Sequence, residues 1–197
     1  MKVLLINPPV RQRMLPQEIP VGLSMIAAVT KQENHQIAFL DLNAHRVQLQ
    51  IAADEIAIDD YDIIGIGGLS SQYKDIKKIL PICRQIHPDA LIVAGGGFAT
   101  YMPDKILRIR PEIDIVVIGE GEDTWRDILR VGNKGDFSKV KGISFRDNSG
   151  QIIFTEPRPL IPSMDSLPLP AYDLLDIDIY AENYNLAYSE ESLFTKR

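Results

Sequence analysis

The sequence IIGIGGLSS, residues 63–71, joins a short apolar run to a loop of glycine and serine. Such a run is typical of a strand buried on both faces, and the small residues mark its end. Four further runs of similar length recur at intervals of about 25 to 35 residues, at 3–6, 37–40, 91–94 and 115–118. The chain therefore predicts five short parallel strands.

The segments between these runs carry apolar residues at helical spacing. The clearest follows the third run, where Tyr73, Ile76, Leu80 and Cys83 recur at steps of three and four. Parallel strands need crossover connections, and helices are the compact way to make them. The sequence predicts an α/β fold with a flavodoxin-like (Rossmann-like), doubly wound, five-stranded parallel sheet in the order 2-1-3-4-5.

The pattern of the chain changes after Gly132. Two apolar segments flank a turn at 147–150 and predict a β-hairpin, which extends the module or packs beside it. Five prolines between Glu156 and Pro170 indicate a linker. We expect a Rossmann-like domain over residues 1–132, a hairpin extension over 133–156 and a linker over 157–197.

The composition disfavours several classes of protein. A formal net charge of -6, without a cluster of Lys and Arg, argues against nucleic acid as a partner. The single cysteine excludes a disulfide framework and predicts a reducing, cytoplasmic location. The three histidines are too dispersed for a zinc site. No apolar stretch reaches the roughly 18 residues of a membrane span.

Three loops that follow predicted strands contain clustered glycines, at 65–68, 95–97 and 119–121. Glycine lacks a Cβ, so a bulky ligand can approach the backbone itself. Ligands of open parallel sheets bind beyond the carboxyl ends of the strands. Glycine also makes tight strand-to-helix turns, so a single loop does not distinguish a turn from a site. Three such loops at one edge favour a site.

Other candidate groups have structural explanations. Glu120, Glu122 and Asp123 open a predicted helix, where carboxylates complement the helix dipole. Ser70 and Ser71 can cap the next helix or offer a hydroxyl to a ligand. Neither a dinucleotide-binding G-x-G-x-x-G after the first strand nor a phosphate-binding G-x-x-x-x-G-K-[ST] is present. No nucleophile-base pair follows from the spacing, and we predict no catalytic residue.

Six short motifs occur in a distinctive order along residues 2 to about 175. They are LLINPP (4–9), PVGL (20–23), GIGGLSS (65–71), GGG (95–97), GEGE (119–122) and LPLPAYD (167–173). In order and strand-end placement they resemble the N-terminal cobalamin-binding region of B12-dependent radical SAM proteins. Magnesium-protoporphyrin ester cyclases and radical SAM methyltransferases belong to that group.

The resemblance implies that a corrin lies at the strand ends and that its nucleotide tail runs into the sheet region. It implies that 69–71 meet the tail, 95–98 line its passage, 119–122 close one side and the loop 8–20 lies beside the corrin. The implied cofactor-binding residues are Asn7, Pro8, Pro9, Gly67, Gly68, Leu69, Ser70, Ser71, Gly95, Gly96, Gly97, Phe98, Gly119, Glu120, Gly121 and Glu122.

Two departures from related proteins shape this expectation. Other B12 domains carry D-x-H-x-x-G after the first strand, and the histidine of that motif binds cobalt. This chain has NPPVR at 7–11 instead, so we expect cobalamin without a histidine lower ligand and no metal-ligating residue.

The C-x-x-x-C-x-x-C motif that binds a [4Fe-4S] cluster is absent, because Cys83 is the sole cysteine. We therefore expect an N-terminal part of a longer enzyme, without catalysis of its own; a stand-alone cobalamin carrier is the alternative. The cluster and S-adenosylmethionine would belong to a missing C-terminal radical SAM domain.

Two alternatives use the same scaffold. A signalling or interaction module such as a receiver domain carries a phosphorylatable aspartate where this chain has Gly67 and Gly68. A flavin- or nucleotide-binding module is the other alternative. Fold alone does not distinguish these functions, since one scaffold hosts many.

Overall fold

The computed structural model describes residues 1–10, 15–46 and 49–188, so the end of the predicted linker, 189–197, lies outside it. Its strands are β1 (Lys2–Asn7), β2 (Gln36–Asp41), β3 (Ile63–Gly67), β4 (Leu91–Gly95), β5 (Ile115–Val117), β6 (Ile143–Arg146) and β7 (Ile152–Phe154). They form one sheet in the order β2-β1-β3-β4-β5-β6-β7. The first five are parallel, which confirms the predicted order 2-1-3-4-5.

Helices cover both faces of the sheet. They are α1 (Val21–Gln32), α2 (Leu49–Ile56), α3 (Tyr73–Ile86), α4 (Gly97–Thr100), α5 (Pro103–Ile109), α6 (Glu122–Val131) and α7 (Ile177–Tyr188). Side chains of β1 alternate between two apolar clusters, as the strand period requires. Val3 and Leu5 pack with α1 and α6, and Leu4 and Ile6 pack with α2, α3 and α5. The fold is doubly wound as predicted.

The predicted hairpin extends the sheet. Strand β6 pairs antiparallel with β5, and β7 pairs antiparallel with β6, so the sheet has seven strands of which five are parallel. The Asp147 carboxylate organises the turn, because it accepts hydrogen bonds from the backbone N–H groups of Ser149 and Gln151 at 2.8 and 2.9 Å.

Parts of the segment predicted as a linker contact the preceding elements of the fold. The Ala171 N–H donates to the Ser24 carbonyl of α1 at 3.0 Å, and Ala171 is buried. Helix α7, which the sequence does not predict, buries Tyr180 against the carboxyl ends of β1 and β2. Ala171 and Tyr180 of the predicted linker therefore contact α1 and the ends of β1 and β2.

The loops after β3 and β4 touch through bare backbone. Gly96 has φ +78°, and a Cβ there would lie 2.6 Å from the carbonyl oxygen and 2.9 Å from the nitrogen of Gly68. The Phe98 N–H also donates to the Gly68 carbonyl at 3.2 Å. Only glycine at residue 96 permits both the backbone angle and this approach.

We expect Gly96→Ala to lower the free energy of unfolding by about 2–4 kcal/mol, measured by urea denaturation. The matched control is Gly150→Ala, because Gly150 has φ +83° but open space around its Cβ position. The control should cost only about 1 kcal/mol, which is the backbone contribution alone. Equal losses in the two variants would contradict the close approach of the two loops.

Candidate functional site

A cavity of about 450 Å³ opens at the carboxyl ends of β1, β3, β4 and β5. It runs between the sheet and helices α1 and α6. Its walls are mainly apolar, with Leu5, Val93 and Val117 from the strands, Ile26 from α1 and Trp125 from α6. The Trp125 indole Nε1 donates to Thr30 Oγ1 at 2.8 Å, which ties α6 to α1 beside the cavity. Its size and apolar lining suit a small-molecule or cofactor site.

Alternate glycines leave the sheet bare where it faces the cavity. Gly65 and Gly67 of β3 share one face, because side chains two residues apart point the same way. A Cβ at residue 67 would make ordinary contact with Leu23 Cδ1 at 3.5 Å, and one at Gly95 would lie 3.9 Å from Val117 Cβ. A Cβ at Gly65 would instead lie 2.5 Å from Leu5 Cδ2. Gly65 therefore allows Leu5 to pack closely against β3. The absence of side chains at Gly67 and Gly95 leaves space in the cavity.

Two glycines at the rim face open space. A Cβ at Gly119 or at Gly22 would meet no heavy atom within 4 Å. Gly119 also has φ +81°, a conformation that side chains other than glycine rarely adopt. Both residues line the cavity. This rim can accept a bulky group against the backbone.

Gln72 fastens the loops beside the cavity. Its side chain is 3% exposed; Oε1 accepts the Leu69 N–H at 2.7 Å, and Nε2 donates to the Pro8 carbonyl. The loop after β1 is thereby joined to the loop after β3. The sequence offered Ser70 or Ser71 as the cap of α3, but Gln72 makes the hydrogen bond to the loop. The serines are exposed.

A buried polar cluster closes the β1 and β2 side of the site. The Asp41 carboxylate accepts hydrogen bonds from Asn7 Nδ2 and from the Tyr180 hydroxyl, each at 2.7 Å. Burial and the negative charge of Asp41 raise the pKa of Tyr180, so the hydroxyl remains a donor.

The B12 binding domain family matches residues 10–129, which is more than half of the chain. The chain belongs to this family. The predicted resemblance is thus confirmed, and neither a receiver domain nor a flavin-binding module has support.

Curated relatives carry the same region within longer proteins. An uncharacterized methyltransferase of Pyrococcus horikoshii is 33% identical over 185 residues, covering 91% of this chain and 40% of the relative. An anaerobic magnesium-protoporphyrin IX monomethyl ester cyclase of Synechocystis is 30% identical over 188 residues, covering 92% and 37%. The chain therefore spans about 40% of the length of these relatives.

A solved structure shares the fold of this B12 binding domain. It is the cobalamin-dependent S-adenosylmethionine radical enzyme OxsB with aqua-cobalamin and S-adenosylmethionine bound. The TM-score is 0.74 at 18% identity, and the match covers 92% of this chain and 25% of OxsB. The match confirms the predicted fold class.

The structure brings most of the predicted site residues together around the cavity. The lining includes Asn7, Gly67, Gly68, Leu69, Gly95, Gly96, Gly119, Glu120, Gly121 and Glu122. Pro8, Pro9, Ser70, Ser71, Gly97 and Phe98 lie outside this lining. Ser71 lines a smaller neighbouring cavity of about 230 Å³. Residues 11–14 of the loop 8–20 are outside the described residues.

Phe98 is the clearest difference between predicted and observed placement. Its side chain is 3% exposed and packs in the apolar cluster with α3 and α5, on the face opposite the cavity. It stacks on Tyr73 with ring centroids 6.3 Å apart. Phe98 follows three glycines, and the family resemblance implied that it lines the site. The sequence did not show to which face of the sheet its side chain turns.

Helix α1 supplies a wall that the site prediction omitted. Gly22, Leu23 and Ile26 line the cavity, as does Glu18 just before the helix. The PVGL motif at 20–23 contains two of these residues, Gly22 and Leu23. The motif contributed to the family resemblance, but it did not indicate that they line the cavity. Trp125 of α6 also lines the cavity and was not among the predicted site residues.

Three carboxylates contribute to the polar lining of the cavity. Glu18, Glu120 and Glu122 line the cavity, and Glu120 Oε2 accepts the Ile161 N–H at 2.6 Å. Glu122 and Asp123 lie in the first turn of α6, as predicted.

Within the described ranges, no group of three or more His, Cys, Asp or Glu could hold a metal ion. No helix among those residues is long and apolar enough to cross a bilayer.

Cys83 is unavailable for chemistry at the site. It is 1% exposed on α3, and burial raises the pKa of its thiol to about 12. The thiolate is the reactive form of cysteine, so both access and ionisation are suppressed.

We therefore expect native protein at pH 8 to react negligibly with Ellman's reagent over an hour. The same sample in guanidinium chloride should release one equivalent of thiol, because an exposed cysteine has a pKa of about 8.5. Rapid reaction of the native protein would contradict the packing of α3.

Proposed function

We propose that this chain binds cobalamin and is the cofactor-binding part of a B12-dependent radical SAM enzyme. The observation that carries the proposal is the apolar cavity under bare strand-end backbone in a member of the B12 binding domain family. A macrocycle with a nucleotide tail needs both a deep apolar slot and an open rim without side chains. The cavity and its rim glycines provide both features.

Different parts of the site would hold different parts of the cofactor. The deep region beside Leu5, Val93 and Trp125 suits the apolar base of the nucleotide tail. Gly67, Gly95 and the rim at Gly119 leave room for the corrin against the backbone. The residues at the end of β1 include no histidine, so the proposal is for cobalt without a histidine ligand from this loop.

The rim carboxylates fit the periphery of a corrin. Carboxylates accept hydrogen bonds, and the periphery of cobalamin carries carboxamide N–H donors. Glu18, Glu120 and Glu122 are placed to orient such groups at the mouth of the cavity. When bound, cobalamin supplies a cobalt centre that can carry a methyl group or change oxidation state. The chain itself binds, orients and shields the cofactor.

The longer enzyme would perform methyl transfer or an oxidative cyclisation. The sole cysteine cannot supply the three thiolates of a radical SAM cluster, so a C-terminal radical SAM domain would provide the [4Fe-4S] cluster and bind S-adenosylmethionine. We assign residues 1–132 to cofactor binding, 133–156 to the hairpin extension and 157–197 to the connection with that domain. We also propose a cytoplasmic location and no nucleic-acid partner.

Incubation of the purified chain with hydroxocobalamin, followed by desalting, should leave corrin absorbance at about one equivalent per chain. A parallel incubation with flavin mononucleotide should leave no flavin fluorescence, because the carboxylates of Glu18, Glu120 and Glu122 at the rim would repel its phosphate. A colourless eluate after aerobic and anaerobic incubation would refute the cobalamin proposal. Retention of flavin instead would favour the alternative function.

Gly22→Leu should block the site without harming the fold. Gly22 lies in the first turn of α1, and a side chain there would enter open space in the cavity mouth. Leucine is also about 0.5–1 kcal/mol better than glycine in a helix. We expect at least a roughly tenfold loss of affinity for hydroxocobalamin in a spectroscopic titration, and an unfolding midpoint no lower than wild type.

The matched control is Lys77→Leu, which adds leucine to the exposed surface of α3. Its cobalamin affinity should equal that of wild type. Unchanged binding by Gly22→Leu would exclude the α1 wall from the site.

A further inference from the structure

Among the residues of α7 whose burial the structure describes, Tyr180 is the buried one. Tyr180 is 2% exposed, whereas neighbouring positions 178, 181 and 182 are exposed. Its hydroxyl donates to Asp41 Oδ2 at 2.7 Å across a separation of 139 residues. One polar contact thereby joins the C-terminal part of the domain to the end of β2.

Asp41 also contacts the end of β1 and, through Asn43, the loop that follows β1. Its Oδ1 accepts Asn7 Nδ2 at 2.7 Å and the backbone N–H groups of Asn43 and Ala44 at 3.1 and 3.0 Å. Asn43 Oδ1 then accepts the Val10 N–H at 2.9 Å. The buried carboxylate therefore organises both the turn after β2 and the loop after β1.

The cluster fixes the orientation of the Asn7 amide. An ionised carboxylate only accepts hydrogen bonds, so the NH₂ group of Asn7 must face Asp41, and it also lies 3.4 Å from the Tyr180 hydroxyl. Asn7 is 5% exposed and lines the cavity. With the NH₂ group held by Asp41, the amide oxygen of Asn7 faces away from that carboxylate.

We propose that Tyr180 is a positioning residue for the cofactor cavity. Through Asp41 it holds the Asn7 amide so that Oδ1 is available to an N–H or O–H donor of the ligand. Docking of α7 and occupation of the cavity then strengthen each other, because a coupling between two sites acts equally in both directions. This inference rests on the proposed function, in which the donor is a carboxamide or hydroxyl group of cobalamin.

Tyr180→Phe removes the hydroxyl and keeps the ring that fills the buried position. We expect its affinity for hydroxocobalamin to fall by roughly five- to tenfold, within the usual range of coupling between sites. The control is Tyr172→Phe, since Tyr172 is 43% exposed and precedes α7 in the same segment. The control should bind like wild type. Equal affinities of Tyr180→Phe and the control would overturn the proposal.

A double-mutant cycle separates positioning from a general loss of structure. If Tyr180 acts through Asn7, then Asn7→Ala and the double variant Asn7→Ala/Tyr180→Phe should bind hydroxocobalamin equally weakly. Independent structural effects would instead add. Additive losses would overturn the proposal.

Amide hydrogen exchange tests the same chain of contacts without ligand. In ligand-free Tyr180→Phe, the amides of Val10, Asn43 and Ala44 should exchange faster than in wild type, while those of β4 should not change. In wild type, hydroxocobalamin should slow exchange in α7. Unchanged exchange at these amides would overturn the positioning role. Failure of wild type to bind any corrinoid would instead refute the proposed function.

Discussion

The cavity exists because glycines leave one face of the sheet without side chains and the neighbouring helices α1 and α6 are held apart from that face. Gly67 and Gly95 leave that face bare, and the indole of Trp125, hydrogen-bonded to Thr30, ties α6 to α1. A protein interior normally closes such gaps, because unfilled volume forfeits dispersion contacts. Here the packed helices and the strand-end loops support one another around the gap.

The strands and their order could be predicted because their signals are local. Continuous apolar runs identify buried parallel strands, and the alternation with helices leaves few topologies. The glycine loops predicted the edge of the sheet at which the cavity opens. The alternation within β3 contained further information, since Gly65 and Gly67 must share a face, and that argument would have directed attention to the α1 and α6 side.

Other parts of the site depend on tertiary contacts that leave little trace in the sequence. Helix α7 buries Tyr180 and exposes most of its other described side chains, so no apolar period marks it. Phe98 follows three glycines but turns into the opposite core, because α4 begins at Gly97 and directs the side chain there. The wall from α1 likewise arises from packing between elements distant in sequence.

The antiparallel hairpin has a consequence for the behaviour of the isolated chain. Strand β5 has three residues and without β6 would expose unpaired backbone groups at the border of the sheet. The hairpin moves that border outward to β7, which also has only three residues. Arg146 of β6 donates to the carbonyls of Leu107, Arg110, Pro111 and Ile113 and thereby fixes the hairpin to the end of α5. A short terminal strand offers little template for strand addition, so this side of the molecule is protected against self-association into fibrils.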